Sequence, residues 1–228
     1  MANLVNILKD VISLIDLEIK VLNLIGTRYY LCKTLHLTIG KIVKDNGGND
    51  FKITAFKDND WIELVPFGHS NAFIGSVVIC PAITFLHGSP SSVDKEYAQV
   101  DQQTLNKTPF IWLLEPYDED KGEADSVLDC SFSARLFFMD WAYNQGWQND
   151  QHNTNVIVPM ENLRDAFNDV IDASFSFRNT TVIRSKPRSR FGVVISNKGS
   201  NKTIINEDLS GLEVNADLDL FNTDICKC

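Results

Sequence analysis

Four histidines, five cysteines and a surplus of carboxylates are the groups in this chain that could hold a metal or move a proton. Their spacing brings few of them together. His36, His69, His87 and His152 are far apart, and none stands at a metal-ligand spacing from another histidine or from a CxxC pair. Cys226-x-Cys228 is a weak ligand pair. Asp217 and Asp219 leave one strand on the same side and in principle can hold a divalent cation, although an Asp-x-Asp on an alternating strand is more often a solvated face. The chain has no Gly-x-Ser-x-Gly elbow, no phosphate loop and no dinucleotide fingerprint, and Gly47-Gly48 reads as a hairpin turn. No cofactor and no metal is expected. The chemistry left open is hydrolysis by paired carboxylates within residues 115–125 or 217–224.

Two other clusters carry chemistry of recognition. Arg184-Ser185-Lys186-Pro187-Arg188-Ser189-Arg190 inverts the sign of an acidic chain and reads as an exposed loop before a strand at 191–195. Such a loop is solvated, or contacts phosphate, or meets an acidic patch on a partner; the acidic face of the last strand on an adjacent copy is one such patch. Trp141, Tyr143, Trp147 and His152 lie in a Gln/Asn-rich connection, where they anchor a long loop or form a stacking platform.

The totals bound what these groups can be part of. A chain of 228 residues buries roughly 70% of the surface that its unfolded form exposes, enough for one substantial core. With 44% hydrophobic and 10% aromatic residues it is a folding sequence, and a net charge of -9 argues against a broad nucleic-acid-gripping face. The odd cysteine count, mostly in apolar segments, reads as buried reduced thiols in a reducing compartment. Charges at Lys9, Asp10, Asp16, Glu18 and Lys20 break the N-terminal apolar stretch, so neither a secretion signal nor a membrane span is expected. The Asn-x-Thr triplets at Asn106, Asn179 and Asn201 are then chance.

The elements that must position these groups follow from periodicity. Residues 3–25 place Leu4, Ile7, Leu8, Val11, Ile12, Ile15, Ile19, Leu22 and Ile25 at helical steps, with further apolar residues widening the stripe. This predicts a helix that is either a central core element or partly covered by a neighbouring subunit. Strands are predicted around 30–42, 51–56, 61–66 and 72–85, with turn-rich breaks at 45–50 and 57–60. Residues 88–108 read as a loop running into a short amphipathic piece. Strands at 109–114 and 130–139 should be central, and Pro159 opens a helix whose Leu163, Ala166, Phe167, Val170 and Ile171 lie on the sheet. The last strand alternates Leu212, Val214, Ala216, Leu218 and Leu220 with Glu213, Asn215, Asp217 and Asp219. The expected fold is a single α+β domain over 1–228, with a mixed or antiparallel sheet, an N-terminal apolar helix, a second helix packed on the sheet and an enlarged β region at about 27–92.

This order of elements, with Thr108-Pro109-Phe110-Ile111-Trp112-Leu113-Leu114, Ser131-Phe132-Ser133-Ala134-Arg135-Leu136-Phe137-Phe138, Val156-Ile157-Val158-Pro159-Met160 and Arg190-Phe191-Gly192, resembles that of the tail terminator and head-tail completion proteins of tailed bacteriophages. The similarity spans most of the chain. It implies a non-enzymatic virion protein, made in the host cytoplasm, forming a ring of identical subunits against portal, adaptor or tail proteins. DNA passes through the lumen without sequence-specific binding, and no membrane is involved. On this reading Arg184, Lys186, Arg188, Arg190, Leu8, Ile12 and Ile15 make subunit or partner contacts, and Glu213, Asp217 and Asp219 face the channel and repel phosphate. The competing reading is a cytoplasmic ligand-binding or regulatory module with a pocket lined by Trp141, Tyr143 and Trp147.

Overall fold

A computed structural model describes residues 4–99, 108–121, 129–141, 149–191, 193–195, 201–203 and 209–221. The chain is of the α+β class, with an N-terminal helix. Helix α1 (Leu4–Ser13) buries Leu4, Leu8, Val11 and Ile12, spaced so that they share one face. It ends where Ser13 Oγ donates to the Asp10 carbonyl and Asp16 Oδ1 accepts from the Glu18 amide, a local competition that stops helix propagation.

Six strands then close a barrel in the order β1-β2-β5-β4-β3-β6: β1 (Glu18–Ile25), β2 (Arg28–Leu31), β3 (Ile42–Lys44), β4 (Asp50–Lys57), β5 (Trp61–Pro66) and β6 (Val77–Ile79). Ile19, Leu31, Val43, Phe51, Ile53, Ile62 and Val78 are buried there, and closure removes the exposed strand edges.

The second layer is a mixed sheet in the order β11-β14-β10-β8-β7. Strand β7 (Thr84–Gly88) leads through α2 (Pro90–Gln99) to β8 (Phe110–Leu114), which lies parallel to it. Strand β9 (Asp118–Lys121) and β8 both pair with β10 (Asp129–Trp141). A short α3 (Asn149–His152), a π-helical turn (Asn153–Ile157) and α4 (Val158–Ala173) precede the long β11 (Phe177–Phe191). A small pair, β12 (Val193–Ile195) and β13 (Asn201–Thr203), comes before β14 (Leu209–Phe221).

One face of this sheet, with Phe132, Ala134, Leu136, Phe138, Leu212, Val214, Ala216, Leu218 and Leu220, shares a continuous apolar core with α1, α4 and the barrel. Phe138 meets Phe167 of α4 edge-on at 5.4 Å between centroids. On the other face Val93 and Tyr97 of α2 cover Phe110, Trp112, Phe137, Met139 and Leu209. Gly211 lies opposite Met139, where a Cβ would stand 1.9 Å from the Phe138 carbonyl oxygen, so only glycine fits.

Four expectations are corrected. The helix over 3–25 stops at Ser13, and the same apolar run continues as β1, because pairing with β2 and β6 satisfies its backbone inside the barrel. The strand over 30–42 divides into β2 and β3 around a segment with Leu35 and Gly40 at positive φ. The strand over 72–85 divides at Pro81, so that β6 belongs to the barrel and β7 to the sheet. The basic run 184–190 is part of β11, not a loop; Pro187 is tolerated because β11 ends the order of the described sheet strands, and register shifts fall just before the run, between Val182 and Arg184, and at its end, between Arg188 and Phe191.

Candidate functional site

The strand directions give the barrel two unlike ends. At one, the segment 32–41 and the β4–β5 turn face the α/β layer; at the other lie the β1–β2 hairpin, the end of β5 and the loop 68–76. Leu22, Leu24, Ile25, Val65, Phe67 and Ile74, all toward this far end, are between 40% and 61% exposed. Leu24 pairs across strands with Tyr29, whose ring packs on Phe73 at 4.8 Å, so apolar surface continues from the hairpin to the covering loop. That loop is held by Asp45 and Asn46. Asp45 accepts from the amides of Gly47, Asn49 and Ile74 and from the Asn49 side chain, while Asn46 Oδ1 accepts from the amides of Ser76 and Val77. Burial pushes the Asp45 carboxyl up, but these donors outweigh it and hold it below the usual range.

The near end is a polar joint. Lys41 Nζ donates to Thr108 O at 2.8 Å, to Thr108 Oγ1 at 2.7 Å and to Asp140 Oδ1 at 2.6 Å, which uses all three ammonium hydrogens. Burial pulls the ammonium below its ordinary value, and Asp140 draws it back. His36 Nε2 donates to the Pro81 carbonyl at 3.1 Å. Thr38 Oγ1 donates to the Asn155 carbonyl, and Asn162 Nδ2 of α4 donates to Asp58 Oδ1, which also accepts from Thr34 Oγ1. Barrel, sheet and helix thus meet through segment 32–41.

The third arrangement is the uncovered half of the outer sheet face. Glu213 is nearly inaccessible, with Oε1 accepting from Arg135 of β10 and Oε2 from Arg188 of β11. Burial raises this carboxyl, and the two guanidiniums more than reverse that, leaving it below the usual range. Asp217 and Asp219 accept from the hydroxyls of Ser133 and Ser131 at 2.7 and 2.6 Å. Beside them Tyr117, Asp118, Arg135, Asn215 and Asp217 line a shallow cleft of about 240 Å³. Among the described residues no group of three His, Cys, Asp or Glu side chains is gathered as a metal site, and no helix is long and apolar enough to cross a membrane.

These placements revise the expected contact residues. Leu8, Ile12 and Ile15 are buried within the chain itself and have no face left for a neighbour; the exposed large apolar residues of the 3–25 run are Leu14, just after α1, and Leu22, Leu24 and Ile25 on β1. Glu213 is covered and neutralised by Arg135 and Arg188, so of the three acidic residues only Asp217 and Asp219 stand on the open face. Basic run and acidic strand complement each other inside one chain, because β11 pairs with β14. Lys186 and Arg188 are exposed, whereas the side chains of Arg184 and Arg190 lie outside the described ones. Trp141 is half-exposed at the end of β10; Tyr143, Trp147, Cys226 and Cys228 lie outside the described residues. Of the thiols expected to be buried and reduced, Cys80 is buried and Cys130 half-buried, but Cys32 is exposed.

Periodicity did not single out the joint. The signals were present: Asp140 ends the apolar run Leu136-Phe137-Phe138-Met139, the stretch of β10 that is buried on both faces, and a carboxylate so placed demands a cation. Comparison with protein-family models, curated proteins and solved structures gives no match.

Proposed function

We propose that this chain is a non-enzymatic assembly subunit whose contact surface is the far end of the barrel, and that its assembly is a ring at the head-tail junction or tail of a tailed bacteriophage. The observation that carries the first part is the set of exposed apolar residues Leu22, Leu24, Ile25, Phe67 and Ile74 at the barrel end away from α4. A second copy is the occupant this reading assigns. Separate apolar residues on the other half, Leu14 after α1 and Phe175 after α4, suit a head-to-tail contact, in which two different patches of one chain meet and rotation closes a ring. The element order supports the phage reading: an N-terminal helix, a central strand pair β8–β10 and a helix on the sheet. Portal, adaptor or tail proteins are then the neighbours, with Asp217 and Asp219 on an open face that repels passing DNA phosphates.

The test is peptide mass spectrometry of gradient-purified particles from the source culture, with wild type and a Leu24→Asp/Ile25→Asp variant. A fixed low copy number relative to the capsid protein, lost in the variant while its soluble form keeps its melting temperature, supports the reading. Absence of the wild-type chain from particles overturns the phage assignment. Incorporation of the variant at wild-type copy number removes the barrel end from it.

A further inference from the structure

Among the described residues, two buried acceptors in the barrel–sheet joint have no donor. His36 Nε2 must carry its hydrogen, since its partner is the Pro81 carbonyl, so in the neutral ring Nδ1 is a lone-pair acceptor. Nδ1 is buried without a hydrogen-bond partner, and so is Asp140 Oδ2. Lys41 cannot supply either one, because its three hydrogens go to Thr108 and to the other oxygen of Asp140. His69 shows the contrast: its Nε2 donates to the Asp50 carbonyl and its Nδ1 accepts from the Asn71 amide. With His36 neutral both acceptors, His36 Nδ1 and Asp140 Oδ2, are left open, and the lone pair on His36 Nδ1 is a place for a proton.

We propose that the joint is an acid-operated latch, in which a proton from water taken up at His36 Nδ1 loosens segment 32–41 and frees the barrel from the sheet. The closed joint holds one cation, Lys41, and one anion, Asp140. A second cation in a fully covered site leaves net positive charge there, with Lys41 opposing it and the single negative charge of Asp140 already paired with Lys41 through Oδ1. Among the described residues the charged groups acting on the ring are Lys41 from its own segment and Asp140 from β10; Pro81, from the β6–β7 connection, offers only its carbonyl. Cys80, next to Pro81, is buried and its thiol is pushed up, so it adds no charge. Burial first, then Lys41, depress the ring to about 4, against the opposing pull of Asp140 and the Pro81 bond. An opened joint hydrates both acceptors and returns the ring to its ordinary value. Opening is thus favoured progressively as pH falls from 6.5 to about 4 and levels off below that. This device is independent of the assembly reading, although loosening the barrel would also reorient its apolar end.

The experiment is hydrogen exchange of the full chain at about pH 7 and about pH 5, corrected for intrinsic rates. The amides of Leu37, Gly40 and Lys41, which bond to Thr34, Ile53 and Thr38, report the joint; those of the β4–β5 and β10–β14 pairs report the two layers. The latch predicts that joint protection falls by about twentyfold while the layers keep theirs, since a single proton taken up on opening shifts the equilibrium by up to tenfold per pH unit over the roughly one and a half units below 6.5. His36→Gln keeps a donor for Pro81 and removes the titrating nitrogen, so its joint should lose this pH dependence. Uniform loss across all amides, no loss, or the same loss in His36→Gln overturns the proposal. Should that variant not fold, the wild-type His36 ring followed by NMR decides: a midpoint near 4 is expected, and one near 6.5 shows a ring that is never closed in.

Discussion

Lys41 and Asp140, ninety-nine residues apart in sequence, form a 2.6 Å ion pair in which neither side chain is more than 7% exposed. One comes from the barrel and the other from the sheet, so the pair is the electrostatic seam of the molecule. Its value lies in specificity of docking more than in net stability, because desolvating both charges offsets most of their attraction.

Removing one partner strands the other. Lys41→Met is expected to lower unfolding free energy by roughly 3–5 kcal/mol, and Lys41→Met/Asp140→Leu to recover part of that loss. Urea unfolding of the two variants and the wild type checks both statements. A single variant as stable as wild type would show that the charges are solvated.

Glu213 confers an acid-labile contribution. Its carboxyl lies below the ordinary 4.5, so the stabilisation is complete above that value and is lost as pH falls through the folded-state value. Glu213→Gln is expected to flatten melting temperature against pH in that acid window while leaving the His36-dependent window above it in place. Scanning calorimetry across both windows separates them.

Lys186 and Arg188 are both exposed cations of β11, yet only Arg188 reaches Glu213. Lys186→Ala should therefore leave the urea midpoint within the usual surface range of about 0.5 kcal/mol, and Arg188→Ala should lower it further, since a nearly buried carboxylate loses one of its two guanidiniums. Equal midpoints would mean that Arg135 suffices alone.

Gly211→Ala tests the closest backbone approach in the sheet. The added methyl would stand 1.9 Å from the Phe138 carbonyl oxygen, and backbone cannot move aside as a side chain would. A loss of roughly 1–3 kcal/mol in urea unfolding is expected, as for overpacked cores. Weakened exchange protection along β10 and β14 would accompany it.

The sequence alone determined the class and the interior of the sheet. Strands β8, β10 and β14 and helix α4 were legible because their apolar residues repeat at the period of the element they form, and periodicity is a local property. What the tertiary structure decided was every choice between two locally acceptable states. The apolar run after Ser13 could continue as helix or turn into β1, and only the partners β2 and β6 made it a strand. Residues 184–190 had the composition of a loop, and only β14 alongside made them an edge strand. The joint was invisible for the same reason: His36, Lys41, Thr108 and Asp140 carry no mutual spacing, and they meet because a barrel and a sheet bury them against each other, where an unpaired charge would be too costly to keep.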